Sequence, residues 1–209
     1  LARDFTDSPS VRKSHTTKVP VLGGVAIYLA SVLSMFIIVY LFPTKIDSNF
    51  FMVLGLGSLM LLFAGVLDDL LGLKISQRFL IQTIVAILVI FKSTIFIFSM
   101  DGLFGVYELS HITSLVLSVI VYVIFMNILN LIDGIDGLAA GVSVVAFFFF
   151  ASVAYISGNY FNMLIVMASL GSLIPFLYFN IFSNKKIFLG DNGSLVLGCV
   201  LGFLTLDVL

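Results

Sequence analysis

Residues 112–129, ITSLVLSVIVYVIFMNIL, run directly into NLIDGIDG at 130–137. The first stretch contains no charged residue. As a helix its eighteen residues come close to the ~30 Å of a bilayer core, and they are too many for one strand. Similar apolar runs flank it at 21–41, 50–67, 79–98, 138–157, 161–180 and 194–209, which predicts seven transmembrane helices. Composition agrees. Of 209 residues, 61% are hydrophobic and 10% are charged, where ~25% charged is usual in soluble domains. Mean hydropathy is +1.23. A soluble chain of this length has no interior able to hide so much apolar surface, so lipid is its solvent. The expected fold is all-α, a polytopic membrane bundle forming one domain over 1–209, with 1–20 as a loop ahead of the first span. That loop is charged and is no secretory signal peptide. A net charge of −1 gives no basic footprint for nucleic acid. Cys199 stands alone, so no disulfide forms within the chain.

Orientation follows from Lys and Arg placement. With the N-terminal segment in the cytoplasm, 68–78, 130–137 and 181–193 lie there too. These four segments hold eight of the ten Lys and Arg residues, while the opposite loops hold only Lys45. Lys92 lies inside the third span and can snorkel outward. On this map Asp68, Asp69, Asp133, Asp136 and Asp191 all fall at cytoplasmic span ends. One face therefore gathers carboxylates, asparagines, glycines and cations.

Four segments on that face carry chemistry. The first is Val66-Leu67-Asp68-Asp69, followed by Gly72, Lys74 and Arg78. Adjacent carboxylates need a metal, a cation or a shared proton; the bland reading is a solvated loop. The second runs from Asn127 through Asn130, Asp133 and Asp136 to Gly137. Steps of three turn a helical side chain by about 60°, which puts Asn127, Asn130 and Asp133 on one side. Asparagines at the end of a span need a cavity or a partner. The third is KKIFLGDNGS at 185–194. Here Asp191, Asn192 or Ser194 caps span seven, or the exposed N–H groups favour phosphate and Asp191 holds a divalent metal. Asn180 faces the same side. The fourth is the basic run at 12–18 with His15, ahead of Gly23-Gly24, whose reading is close helix packing or a bend.

Taken in order, RKSHTTKVPVLGG at 12–24, LDDLLGLKISQRFLIQ at 67–82, NILNLIDGIDGLAAG at 127–141 and KIFLGDNGSLVLG at 186–198 resemble the polyprenyl-phosphate N-acetylhexosamine-1-phosphate transferases. The resemblance covers essentially the whole chain. It implies transfer of a sugar-1-phosphate from a UDP-N-acetylhexosamine to undecaprenyl or another polyprenyl phosphate, releasing UMP. It implies Mg²⁺, with Mn²⁺ as a substitute. It also implies a multi-pass protein of the bacterial inner membrane with a cytoplasmic active site, and a homodimer is an expectation. By position, Asp68 and Asp69 fall on the family's catalytic aspartates, and Asp133 and Asp136 on its catalytic loop. Asp191 falls on its metal-binding aspartate. Asn127, Asn130 and Asn180 fall on substrate-contacting asparagines. Lys74 and Arg78 lie in its basic stretch, and His15 is assigned to substrate binding. The basic-His-Pro-Gly-Gly pattern resembles the N-acetylglucosamine-1-phosphate branch, which serves surface glycans such as the O-antigen of lipopolysaccharide.

Three alternatives compete. One is the phospho-muramoyl-pentapeptide transferase branch of the same family. An ion-coupled secondary transporter would want charges near the midplane and inverted repeats. A purely structural membrane protein leaves the carboxylates unexplained. The family's first span and its histidine-rich loop have no counterpart in this sequence. The expectation is therefore a fragment, extended at both ends in its natural gene and inactive alone.

Overall fold

The computed structural model describes residues 6–7, 19–41 and 48–209. His15 and the basic residues Arg3, Arg12, Lys13, Lys18 and Lys45 lie outside them. Among the described residues seven helices are long and apolar enough to cross a membrane. They are α1 Gly23–Leu41, α2 Ser48–Leu71, α3 Ile75–Ser93, α4 His111–Ile132, α5 Leu138–Ser157, α6 Tyr160–Leu177 and α7 Gly190–Val208. Thr6–Asp7 pairs antiparallel with Val19–Pro20, a two-residue ribbon ahead of α1.

Helix α7 is the hub. In its most apolar stretch 78% of residues are buried, against 17% in α1. It packs mainly on α2 and α4. Glycines set the spacing. A Cβ on Gly65 of α2 would stand 2.3 Å from Asn192 Cα, and one on Gly198 of α7 2.5 Å from Met126 Cα. Gly24 meets Gly193 in the same way, at 2.2 Å. Gly24 thus serves close packing, the first of the two readings of Gly23-Gly24. Without side chains the backbones approach closely, and dispersion between them holds the helices where lipid offers no hydrophobic drive.

Three helices depart from the hydropathy pattern for identifiable local reasons. Hydropathy places span three at 79–98, but α3 occupies 75–93. Its start is fixed by the Gln77 side chain, which accepts from the Lys74 N–H at 3.0 Å, a polar signal that hydropathy discards. Its end is a left-handed Thr94 (φ 55°). Apolar residues 95–98 then continue as extended chain, with the Ile97 N–H donating to Ser118 Oγ at 2.9 Å. Helix α6 contains Pro175, whose missing N–H breaks the regular ladder. The chain widens there into a π-helical turn, Tyr178–Phe182. Helix α7 begins at Gly190 instead of 194, with Asp191 in its first turn and Leu189 at the cap position. Asp191 is therefore not the helix cap, and the capping reading of this residue falls.

Candidate active site

The helices alternate in direction, so one end of the bundle collects the start of α1, the end of α2, the start of α3, the end of α4, and the start of α7. Asp68 and Asp69 sit in the last turn of α2. Gly72, in the left-handed region (φ 69°), reverses the chain, and its N–H donates to Asp68 O at 2.8 Å. Asp68 Oδ1 accepts the Leu73 N–H at 2.8 Å. This tight turn brings Arg78, at the start of α3, back over Asp68.

Arg78 is the centre of the polar network. Its Nε contacts Asp68 Oδ2. Its Nη1 donates to Asn130 Oδ1 at 3.0 Å, and its Nη2 reaches Asp191 Oδ2 at 3.1 Å. Asn130 Nδ2 donates in turn to Asp191 Oδ1 at 2.6 Å and to Ser194 Oγ at 3.0 Å. The helices α2, α3, α4 and α7, and the 123 positions from Asp68 to Asp191, are thereby closed into one cluster.

Asp69 turns the other way. Its carboxylate accepts the N–H of Asp191 at 3.2 Å, the N–H of Asn192 at 3.4 Å and Asn192 Nδ2 at 2.6 Å. A carboxylate at a helix start is stabilised by the exposed amides and the helix dipole. Asp69 thus already fills the anion position that the sequence suggested for phosphate, which corrects that reading. Asn192 is fully buried and also donates to Val21 O at 3.0 Å, tying α7 to the segment before α1. Gly190 is left-handed (φ 76°), and a Cβ there would stand 2.9 Å from Asp69 Oδ2.

Asp133 follows α4, half-buried. Its carboxyl is pushed up to about 8, first by burial, then by the negative charges of Asp191 and Asp69. Those charges reach it because all three face one another across the same end of the bundle. Asp136 is at the rim, paired with Lys186 Nζ at 2.6 Å.

The other expected residues sit apart from the cluster. Asn127, a turn deeper, donates to Gln82 Oε1 at 2.6 Å and Val123 O at 2.8 Å. Its partner is thus Gln82, not Asp191. Asn180 is carried inward by the π-helical turn and is buried. It accepts the Gly137 N–H at 2.6 Å and donates to Ile187 O at 2.9 Å. It therefore braces the loops before α5 and α7 against each other. Lys74 is exposed at the start of α3. His15 lies outside the described residues.

Sequence reasoning does not single out Asn192, Ser194, Gln82 or Lys186 as site residues. Asn192 and Ser194 resemble ordinary helix caps. Gln82 carries a signal: it stands four residues after Arg78, on the same helical face.

The donors in this cluster are carboxylate, amide and hydroxyl oxygens, which suit a hard divalent cation. Asp68 and Asp191 contact the guanidinium of Arg78, while the Asp133 carboxyl is raised first by burial and then by the charges of Asp191 and Asp69. Among the described residues no three acidic, histidine or cysteine side chains are grouped to hold a metal by themselves. A cation held by one or two carboxylates and completed by substrate phosphates fits such a site.

A multi-pass helical membrane protein with a carboxylate-rich pole is thus the class that fold and site define. The sequence profile of glycosyl transferase family 4 matches residues 50–209, and the chain belongs to that family. It is 34% identical over 201 residues, 96% of its length, to a probable undecaprenyl-phosphate N-acetylglucosaminyl 1-phosphate transferase of Bacillus subtilis, covering 54% of that protein. It is 26% identical over 207 residues, 97% of its length, to the undecaprenyl-phosphate alpha-N-acetylglucosaminyl 1-phosphate transferase of Escherichia coli O157:H7, covering 55%. It is 31% identical over an alignment of 218 positions, which covers 90% of its length, to a phospho-N-acetylmuramoyl-pentapeptide-transferase of Petrotoga mobilis, covering 60% of that protein. The chain spans little more than half the length of these relatives.

Proposed function

We propose that the protein transfers N-acetylglucosamine-1-phosphate from its UDP derivative to undecaprenyl phosphate and releases UMP. The observation that carries this reading is the gathering of Asp68, Asp69, Asp133 and Asp191 at one membrane-proximal pole, with Arg78 bridging Asp68 and Asp191. A water-soluble nucleotide sugar and a lipid phosphate can meet only at such an interface. The charge map supports the cytoplasmic side, and the names of the Bacillus and Escherichia relatives support N-acetylglucosaminyl 1-phosphate as the transferred group and undecaprenyl phosphate as the acceptor.

In the proposed reaction an oxygen of the acceptor phosphate attacks the β-phosphorus of the nucleotide sugar. The bond from that phosphorus to the oxygen bridging to UMP breaks, and UMP leaves with its electron pair. The product is a polyprenyl diphosphate sugar. A phosphate monoester has its second pKa near 6, so the acceptor is mostly ionised at neutral pH. Orientation and charge control then matter more than base strength. Asp191 presents oxygens for Mg²⁺ or Mn²⁺, and Asn130 fixes its carboxylate. Asp69 anchors the start of α7, and Asp68 anchors Arg78. Asp133 carries a proton more readily than an ordinary aspartate and faces the same pole. When bound, the cation supplies charge neutralisation for the diphosphate and the departing UMP.

The Petrotoga relative favours a second donor, a UDP-N-acetylmuramoyl-pentapeptide. Membranes containing the complete gene product, supplied with undecaprenyl phosphate and each UDP-sugar in turn, separate the two. Lipid-linked product from UDP-N-acetylglucosamine is expected. Product only from the muramoyl-pentapeptide donor would reassign the branch.

A further inference from the structure

Each nitrogen of the Arg78 guanidinium lies against a different residue, Nη1 as a hydrogen-bond donor and Nε and Nη2 as ion-pair contacts. Nε lies on Asp68, Nη1 on Asn130 and Nη2 on Asp191. The two ends of this fork differ. Asp68 is nine-tenths or more buried, at 2% exposure, and its other oxygen is fixed by the α2–α3 turn. Arg78 and Asp191 keep 30% and 27% of their side chains exposed. The guanidinium is thus anchored at Asp68 and reaches Asp191 at the accessible edge. Asp191 Oδ1 accepts from Asn130 and Oδ2 faces Arg78, so a cation that binds through Oδ2, alone or with Oδ1, meets the guanidinium. Magnesium sits about 2.1 Å from its oxygen ligands, and a guanidinium at hydrogen-bond distance on the same oxygen both crowds and repels it.

We infer that Arg78 is a positioning residue that stands in for the divalent cation in the substrate-free protein. Its Nη2 must leave Asp191 for the cation to bind, with Nε on Asp68 as the pivot. The negative diphosphate of the incoming donor gives the released guanidinium a new partner, since its planar fork suits phosphate oxygens. The substrate-free site therefore holds a divalent cation weakly, and cation and nucleotide sugar bind together. This inference rests on the reading of Asp191 as the cation's ligand.

Mn²⁺ titration of the purified complete gene product, followed by electron paramagnetic resonance without nucleotide sugar, tests it. Arg78→Gln keeps a planar polar group and removes the charge. It is expected to bind Mn²⁺ about tenfold or more tightly than wild type, because a unit charge a few ångströms from the cation is removed. Arg78→Lys places a point charge that cannot span both carboxylates, and tighter binding is expected there too. Unchanged or weaker binding in either folded variant overturns the competition. If neither variant shows a thermal unfolding transition, Arg78 is a fixed structural element and the inference fails. Asp191→Asn is the separate control. Loss of Mn²⁺ binding there, with no gain in the Arg78 variants, overturns the competition alone. Wild-type affinity in Asp191→Asn overturns the cation site and this inference with it.

Discussion

The side-chain amide of Asn130 donates to Asp191 Oδ1 at 2.6 Å, joining the end of α4 to the start of α7 across 61 positions. The same amide's oxygen accepts from Arg78. Asn130 therefore fixes both the orientation of Asp191 and the place of its counter-charge.

Replacing Asn130 by Asp sets two carboxylates against each other at that distance. Residues that orient a metal-binding side chain are typically worth 10–100-fold in affinity or activity. Asn130→Asp is expected to cut lipid-linked product formation by about that factor, while circular dichroism keeps its helical signature. Wild-type turnover would remove Asn130 from the orienting role.

Asp133 gives a pH dependence of stability. Its carboxyl is held at about 8 in the folded protein, against 3.8 for an ordinary aspartate, so the folded state favours its protonated form. That contribution is complete below the unfolded value and is lost as pH rises through about 8. The melting temperature of the cation-free protein should fall between about pH 4 and pH 8. Asp133→Asn, which cannot ionise, should flatten the fall. Equal slopes in the two proteins would show that Asp133 is not the group responsible.

Gly65 and Gly171 make a matched pair. A Cβ on Gly65 would meet Asn192 Cα at 2.3 Å, whereas one on Gly171 meets nothing within 4 Å. Overpacking of this kind costs about 1–3 kcal/mol. Gly65→Ala should therefore lower the melting temperature and weaken activity by displacing Asp191 with α7. Gly171→Ala should do neither. Similar melting temperatures in both would mean that α2 and α7 can separate freely.

Much of this arrangement is legible in the order of the residues. Seven apolar runs and the bias of Lys and Arg follow from the cost of placing charge in hydrocarbon. That cost also drives Asp68, Asp69, Asp133 and Asp191 to one pole. What hydropathy cannot supply is direction. Whether Asp69 faces a substrate or the start of α7 depends on which amides lie opposite. Those amides come from a helix more than a hundred positions away. Asn180 turns inward because of the π-helical turn after Pro175, which its own neighbours do not announce. Residues 95–98 are apolar enough for a helix, yet a left-handed Thr94 and the hydroxyl of Ser118 hold them extended. The bond between Gln82 and Asn127 is hidden in the sequence because an amide in an apolar helix shows its purpose only through its partner.

The exposed pair of Asp136 with Lys186 separates rim from centre. Surface ion pairs contribute about 0–1 kcal/mol, so Asp136→Asn should leave the melting temperature nearly unchanged. Asp191→Asn, by contrast, should abolish divalent-cation dependence. A melting temperature lowered by many degrees in Asp136→Asn would make that pair structural and the rim assignment wrong.

Transfer of a phosphorylated sugar at the carboxylate pole can be followed with UDP-N-acetylglucosamine labelled with ³²P at the β-phosphate. The reaction contains undecaprenyl phosphate, Mg²⁺ and the complete gene product in membranes. The label is expected to pass into the lipid product while unlabelled UMP is released, and Asp191→Asn is expected to abolish both. Label recovered in released UDP, or undiminished lipid labelling by Asp191→Asn, would contradict sugar-1-phosphate transfer at this pole.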